Sequence, residues 1–478
     1  MTEVRRTKIV ATLGPAWSEP HQMTALLDAG VNVVRVNASH GTPEVRSSWI
    51  RTLQGIQATR LTSSAILVDL HGPRIRVGAL PAPITLDVGQ RIVFAPADEA
   101  EADEIPTTYP ELADDLHPGA RILLDDGLLA AEVIETTGRK VVARVRYGGL
   151  LKANKGMNLP GVAVSAPAVT DKDREEALLA AALGVDFIGL SFVRHASDIT
   201  GLRAILPEGN RIRIVAKIEK DTALASLEEI LEASDAIMVA RGDLGVELPF
   251  EQVPMVQKRI IREAKLHGKP VITATQMLES MVSAPRPTRA EASDVANAIL
   301  DGTDAVMLSA ETAVGKYPVE SVLAMDRIAR EVESHRLGEE TETPNWSVVG
   351  LHHQQHGNTR TEDAIAVAVS AAAQLLDSPL IVCFTSSGFT ARTVASYRPE
   401  VPILAVTPER DTWRQLSLVW GVVPVLVDRV PTYDDMLPLA RAGIQQLGLA
   451  QPGDRLVVTA GVPFDQAGTT NLLKIETV

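Results

Sequence analysis

Eight short apolar runs of strand length, each followed by a segment with helical spacing, constrain this chain more than any other feature. The runs are Lys8–Leu13, Asn32–Asn37, Ala65–Leu70, Asp186–Phe192, Arg213–Glu219, Ala236–Arg241, Pro270–Thr275 and Ala305–Ser309. Strands alternating with helices make a parallel sheet. About eight such units in a row close that sheet into a (β/α)8 TIM barrel rather than leave it open. Helices are expected within 43–59 and from about Asp171. A third is expected after the fifth run, where Leu224, Leu227, Ile230 and Leu231 share one face.

At 478 residues the chain exceeds one core. The α/β rhythm breaks once, over 71–170, where turn residues and alternating strands replace it. In Val141–Tyr147 the residues Val141, Ala143 and Val145 face one way and Val142, Arg144 and Arg146 the other, after a hairpin turn at 136–139. The reading is a barrel from 1–70 and 158–336, interrupted by a β-rich lid at 71–157. That lid sits where it can close over the catalytic end and exclude water. The segment 337–359 is polar, with His352, His353 and His356, and reads as a linker. A second αβ alternation then begins, predicting a C-terminal α/β domain over 360–478.

A net charge of −14 argues against nucleic acid, which needs a basic face. An anionic substrate then requires a local cluster of cations and metal. The one cysteine, Cys383, lies in an apolar run and supports no disulfide framework. The N-terminus lacks the apolar core of a signal peptide, and the longest apolar stretch is broken by Gly184 and Asp186, so no membrane span is expected and the location reads as cytoplasmic.

In a barrel of this kind the chemistry sits at the C-terminal ends of several strands. The ends here supply Arg35, Asn37, Ser39 and His40; Asp69, then Arg74 and Arg76; and Ser191, Phe192 and Arg194. The later ends supply Lys217 and Glu219; Arg241, Gly242 and Asp243; Thr275 and Gln276; and Ser309 and Glu311. Lys217 and Glu219 are two apart on a strand and so project to one side. One ammonium with two nearby carboxylates suits a hard divalent cation beside an anionic substrate. Neither a Walker loop nor a glycine fingerprint for dinucleotides follows the first strand. Arg35 and Lys217, with Mg2+ on Glu219 and Asp243, would neutralise a phosphoryl group in flight. Thr275 is too weak an acid to deliver a proton without a water relay.

These residues sit in longer motifs. Arg-Thr-Lys-Ile-Val-Ala-Thr-Leu-Gly-Pro-Ala, Asn-Val-Val-Arg-Val-Asn-Ala-Ser-His-Gly, Met-Val-Ala-Arg-Gly-Asp-Leu-Gly-Val-Glu and Ala-Thr-Gln-Met-Leu-Glu-Ser-Met closely resemble pyruvate kinase, as does Arg-Pro-Thr-Arg-Ala-Glu (286–291). The resemblance runs along essentially the whole chain. It implies that Lys217 stabilises the phosphoryl group passing from phosphoenolpyruvate to ADP, and that Glu219 and Asp243 hold Mg2+. It implies that Arg35 grips the substrate phosphate, while the backbone at Gly242 and Asp243, with Thr275, receives the carboxylate. The enolate would be protonated to pyruvate through Thr275, Ser309, Glu311 and water. Arg76 and Lys155 would touch the nucleotide, with Asn37, Ser39 and His40 nearby and a second Mg2+ arriving with it. A homotetramer is implied, with Arg286–Arg289 close to a subunit contact.

One motif departs from the family's pattern. The family's common Asp-Thr-Lys-Gly-Pro-Glu reads Asp69-Leu70-His71-Gly72-Pro73-Arg74 here. In the common form Asn, Ser, Asp and Thr hold K+; here the positions are Asn37, Ser39, Asp69 and Leu70. The fixed guanidinium of Arg74 is expected to stand in for K+, giving K+-independent activity. The alternative is that Arg74 turns to solvent and K+ still binds Asn37, Ser39 and Asp69. In the C-terminal domain, Thr385-Ser386-Ser387-Gly388-Phe389-Thr390 opens a helix and resembles the family's effector loop for a sugar phosphate or nucleotide, its hydroxyls and helix N-terminus making a phosphate cradle. Two other functions share parts of this pattern. A Mg2+-dependent lyase of the phosphoenolpyruvate/pyruvate barrel type would not need the lid. A catalytically silent regulator would show damage at Lys217, Glu219, Asp243 or Thr275.

Overall fold

The structure, a computed structural model, describes residues 4–338, 359–462 and 469–478. The eight runs form one closed parallel barrel. Its strands are Lys8–Thr12, Val33–Asn37, Ala65–Asp69, Phe187–Leu190, Arg213–Ile218, Ala236–Ala240, Val271–Ala274 and Ala305–Leu308. The first pairs with both the second and the eighth, which closes the ring. Side chains alternate as strand geometry demands: Val10, Met238, Ile272 and Met307 fill the interior, while Ile9, Ala11, Val239 and Val306 pack outward against helices.

The helices start where their sequences cap them. Thr42 precedes Pro43–Gln57 with proline at the first turn, and Thr170 and Thr288 close capping boxes with Asp173 and Glu291. The helix expected after the fifth strand is instead two pieces, Asp221–Ala225 and Leu227–Ala233, divided at Ser226. Leu227, Ile230 and Leu231 remain its buried face, and Leu224 is only partly covered.

The insertion folds as a six-stranded sheet with a separate two-stranded ribbon. Its hairpin Leu129–Thr137/Lys140–Tyr147 turns at Gly138, whose φ of 59° suits glycine. Val141, Ala143 and Val145 face its core, which extends through Val164, beyond the boundary expected at 157. Both connections to the barrel are fastened by Asp173. One oxygen accepts from the amides of His71 and Gly72 (2.9 and 3.1 Å), and the other accepts from the amide and hydroxyl of Thr170 (3.1 and 2.6 Å).

The C-terminal domain is a five-stranded sheet. Its four parallel strands are Val422–Leu426, Ile403–Thr407, Ile381–Phe384 and Arg455–Ala460, and an antiparallel edge strand, Leu472–Thr477, was not foreseen. Cys383 is buried in the sheet. The domain caps the N-terminal end of the barrel, where its Leu418 joins the barrel's interior cluster. The linker expected over 337–359, with His352, His353 and His356, lies almost wholly outside the described residues. No described helix is long and apolar enough to cross a membrane.

Candidate active site

Strand ends two to five converge on one ionic cluster. The Lys217 ammonium lies 2.9 Å from Glu219 Oε1 and 3.2 Å from Asp69 Oδ1, and donates to Ser191 Oγ at 2.8 Å. Ser191 donates its own hydroxyl to the Leu70 carbonyl (2.8 Å), which fixes the oxygen that Lys217 meets. Arg35 reaches Asp69 Oδ2 from the other side through Nε and Nη2, both at 2.7 Å, and donates Nη1 to Thr12 Oγ1 at 3.0 Å. Burial opposes the charge on Lys217, but Asp69 and Glu219 outweigh it and hold the ammonium above its usual range. Burial likewise opposes ionisation of Asp69, and Lys217 and Arg35 reverse that.

Glu219 differs. Burial pushes it up to about 7; Lys217 pulls it back while Asp243 adds to the rise. Its second oxygen accepts from the Phe192 amide at 2.6 Å, presented by a backbone at φ 55°. A non-glycine residue held there is a strained position of the kind that clusters at functional sites. Gly72 packs onto the same turn: a Cβ there would stand 2.8 Å from the Phe192 ring and 2.9 Å from Ser191 Cβ. Asp243 stands near enough to Glu219 to push it up, and two neighbouring carboxylates offer the oxygen donors that a hard divalent cation takes.

The sixth and seventh strand ends meet directly. The Gly242 amide donates to Thr275 Oγ1 at 2.8 Å, and that hydroxyl donates to the Ala274 carbonyl at 2.7 Å. Thr275 and Gln276 both have positive φ, 69° and 53°. Arg241 holds this turn through the Thr275 carbonyl (2.7 Å) and is itself paired with Asp294 at 2.7 Å. Glu311 was expected in a proton relay, but it has no exposed surface and its oxygens accept the Leu278 and Ser309 amides at 3.1 and 2.7 Å. With an amide on each oxygen it braces the turns after strands seven and eight, Ser309 included.

Above the cluster a cleft of about 420 Å3 separates barrel and lid. Arg76 and Lys155 line it from the lid; Arg194, Lys220 and Asp243 line it from the barrel; and Arg74 lines it at the hinge. Lys155 pairs with Asp125 at 2.7 Å. Asn37, Ser39 and His40 do not line the cleft; they form a turn in which Asn37 Oδ1 accepts the Ser39 amide at 3.0 Å. His40 is held below its ordinary value by burial, then by the positive charges of Arg74 and Arg35. Around the expected monovalent-cation region, Asp69 is taken by Arg35 and Lys217, and Leu70 is buried in the barrel's outer core.

At the C-terminal loop, the Ser387 carbonyl accepts from Arg213 and Arg392 at 2.9 and 3.1 Å, and Ser386 O accepts the Thr412 hydroxyl at 2.7 Å. Thr390 bonds Thr470 at 2.8 Å. Gly388 has φ 76°, with Arg392 against it. Burial, then Arg213, pushes Arg392 down to about 9.

Two family models account for nearly all of the chain: the pyruvate kinase barrel domain over 4–322 and the pyruvate kinase alpha/beta domain over 363–476. The chain belongs to the pyruvate kinase family. It is 45% identical over 485 residues to a pyruvate kinase of Geobacillus stearothermophilus, covering 99% of this chain and 80% of that one. To a pyruvate kinase of Agrobacterium vitis it is 44% identical over 478 residues, covering 98% and 96%. A crystal structure of a pyruvate kinase from Cryptosporidium parvum superposes with a TM-score of 0.91 at 34% identity, covering 99% of this chain and 96% of that one.

Three residues near the site were given no role in the sequence analysis, although Glu247 closes one of the quoted motifs. Asp173 was legible only as a helix cap, and its clamp on the lid hinge is a tertiary contact. Glu247 and Asn158 meet across the cleft, 89 positions apart, with no periodicity to announce them.

Proposed function

We propose that this chain transfers the phosphoryl group of phosphoenolpyruvate to ADP, giving pyruvate and ATP, and that Glu219 and Asp243 hold Mg2+ for it. The observation that supports the reading is the Lys217 ammonium, kept charged by Asp69 and Glu219 and held by Ser191 among the strand ends, with a cleft lined by Arg76, Lys155, Arg194 and Lys220 between barrel and lid. Mg2+ bound there, with a second ion on the nucleotide, supplies the positive charge that a phosphoryl group in transit requires. The chain's own groups do the rest. Arg35 and Lys217 take the charge of the phosphoryl oxygens. The Gly242 and Asp243 amides and Thr275 receive the substrate carboxylate, which takes the Gly242 amide over from the Thr275 hydroxyl. That hydroxyl, with Ser309 and water, then passes a proton to the enolate. Arg76 and Lys155, which line the cleft, hold ADP from the lid. A coupled assay for pyruvate from phosphoenolpyruvate, ADP and Mg2+ tests the reading; a correctly folded sample that yields none overturns it.

K+ is not required in this reading. Asp69 already carries two cations, Leu70 offers no side-chain oxygen and its carbonyl is taken by Ser191, and Arg74 brings a permanent charge to the hinge. With tetramethylammonium as the other cation, added K+ should change the rate by less than about twofold; a collapse of rate without K+ rejects this. The loop Thr385–Thr390 is proposed to take a phosphorylated sugar or nucleotide as effector, supported by the arginines gathered at Ser387. Activation by a panel of sugar phosphates and AMP tests it. Assembly is proposed as a homotetramer in the cytoplasm, with 286–289 near a contact, and gel filtration with light scattering reads it.

A further inference from the structure

Lys220 is more than nine-tenths buried and lines the cleft beside Asp243, yet it makes one hydrogen bond among the described residues, to Glu247 Oε1 at 2.9 Å. An ammonium has three donors, so two remain for a further partner in the cleft. Its counter-ion is equally incomplete. Glu247 Oε1 also accepts from Asn158 of the lid, at a long 3.4 Å, while Oε2 is buried with no partner. A buried ion pair with spare donors costs folding free energy unless a further partner arrives. The cleft already presents Arg76 and Lys155 from the lid, so the partner that fits is an anion bridging lid and barrel.

We propose that Lys220 is a further nucleotide-binding residue, giving its ammonium to the polyphosphate of a nucleoside diphosphate from the barrel side while Glu247 holds it in place and ties it to Asn158 of the lid. The inference rests on the proposed function and adds a residue to its nucleotide site. Lys220 adjoins Glu219 in sequence but points to a different partner, so its loss separates nucleotide binding from the chemistry at Lys217.

Calorimetric titration of the full chain with Mg2+-ADP, alongside kinetics with each substrate varied separately, tests this. Lys220→Gln should weaken ADP binding and raise the KM for ADP by about tenfold, leaving the KM for phosphoenolpyruvate within about twofold. It should also make ADP binding less sensitive to added salt, which lost packing alone would not do. Lys220→Arg, which keeps the charge and controls for misfolding, should stay within about threefold. ADP binding by Lys220→Gln within twofold of the unmodified chain, or an equal rise in both KM values, overturns the inference. An unmodified chain that binds Mg2+-ADP but makes no pyruvate overturns the proposed function instead.

Discussion

The barrel buries charge at both ends, and the two clusters are built to different standards of completeness. At the N-terminal end, under the C-terminal domain, Asp304 is saturated. Its oxygens take both Arg398 Nη1 and Nη2 (3.1 and 3.0 Å), the Trp420 amide (3.2 Å) and the Val271 amide (3.0 Å). Arg398 also reaches the Gly302 carbonyl at 2.7 Å and stacks 4.9 Å from the Trp420 ring. Asp186 there accepts from Arg414 and the Ile66 amide at 2.7 and 2.8 Å. At the C-terminal end, Asp69 Oδ1 makes no well-formed hydrogen bond despite its ion pair, and Glu247 Oε2 is buried with no partner. At the closed end the carboxylate oxygens of Asp304 and Asp186 are filled, although Arg398 Nε is not; at the catalytic end two buried carboxylate oxygens stay open, where a ligand can enter.

The largest way to break this contrast is Lys217→Met. It should lower kcat by about a thousandfold or more with little loss of phosphoenolpyruvate binding, because the charge acts mainly on the phosphoryl group in transit. Turnover near normal would strip Lys217 of its role. The counterpart at the other end is Arg398→Met, which strands Asp304 beneath the domain interface. A stranded buried charge costs about 3–5 kcal/mol, read as a lower thermal midpoint, while kcat at low temperature should stay within about threefold. If instead kcat falls as far as in Lys217→Met, the two ends are not separable and the comparison fails.

The barrel was readable because its signal is local and repeated: each strand announces itself by composition and each helix by spacing. Lys217, Glu219, Asp243 and Thr275 were readable for the same reason, as polar residues at the ends of apolar runs. What escaped depends on closure. Asp69 looked like a cation ligand, and only when the third and fifth strands are brought round the ring does it become the counter-ion of Lys217 and Arg35. Glu311 looked catalytic by position, and only the packed turns show amides on both its oxygens. The edge strand Leu472–Thr477 is half exposed and carries Lys474 and Glu476, so it lacks the apolar run that marked its neighbours. Ser226 divides a segment whose apolar face is continuous, which periodicity alone cannot detect.

Lys8 gives the finest test of the closed end. Its ammonium lies wholly inside the interface, donating to the Val422 carbonyl at 2.7 Å. Burial, then Arg5, brings it down to about 7, with Glu333 and Asp304 pulling the other way. The sign follows from proton counting. Between about 7 and the roughly 10.4 of a free lysine, the unfolded chain holds a proton that the folded chain has released. Stability from this residue therefore rises with pH across that window, and near neutrality Lys8 weighs against the fold. Lys8→Met keeps the length and removes the titration. All other groups titrate alike in both proteins, so the difference between their thermal midpoints isolates Lys8. Methionine should compare best with lysine near pH 7 and lose that relative advantage by a few degrees or less toward pH 9.5. A difference that stays level with pH would mean the ammonium finds water or a counter-ion at the interface, and that the closed end is less complete than its hydrogen bonds indicate.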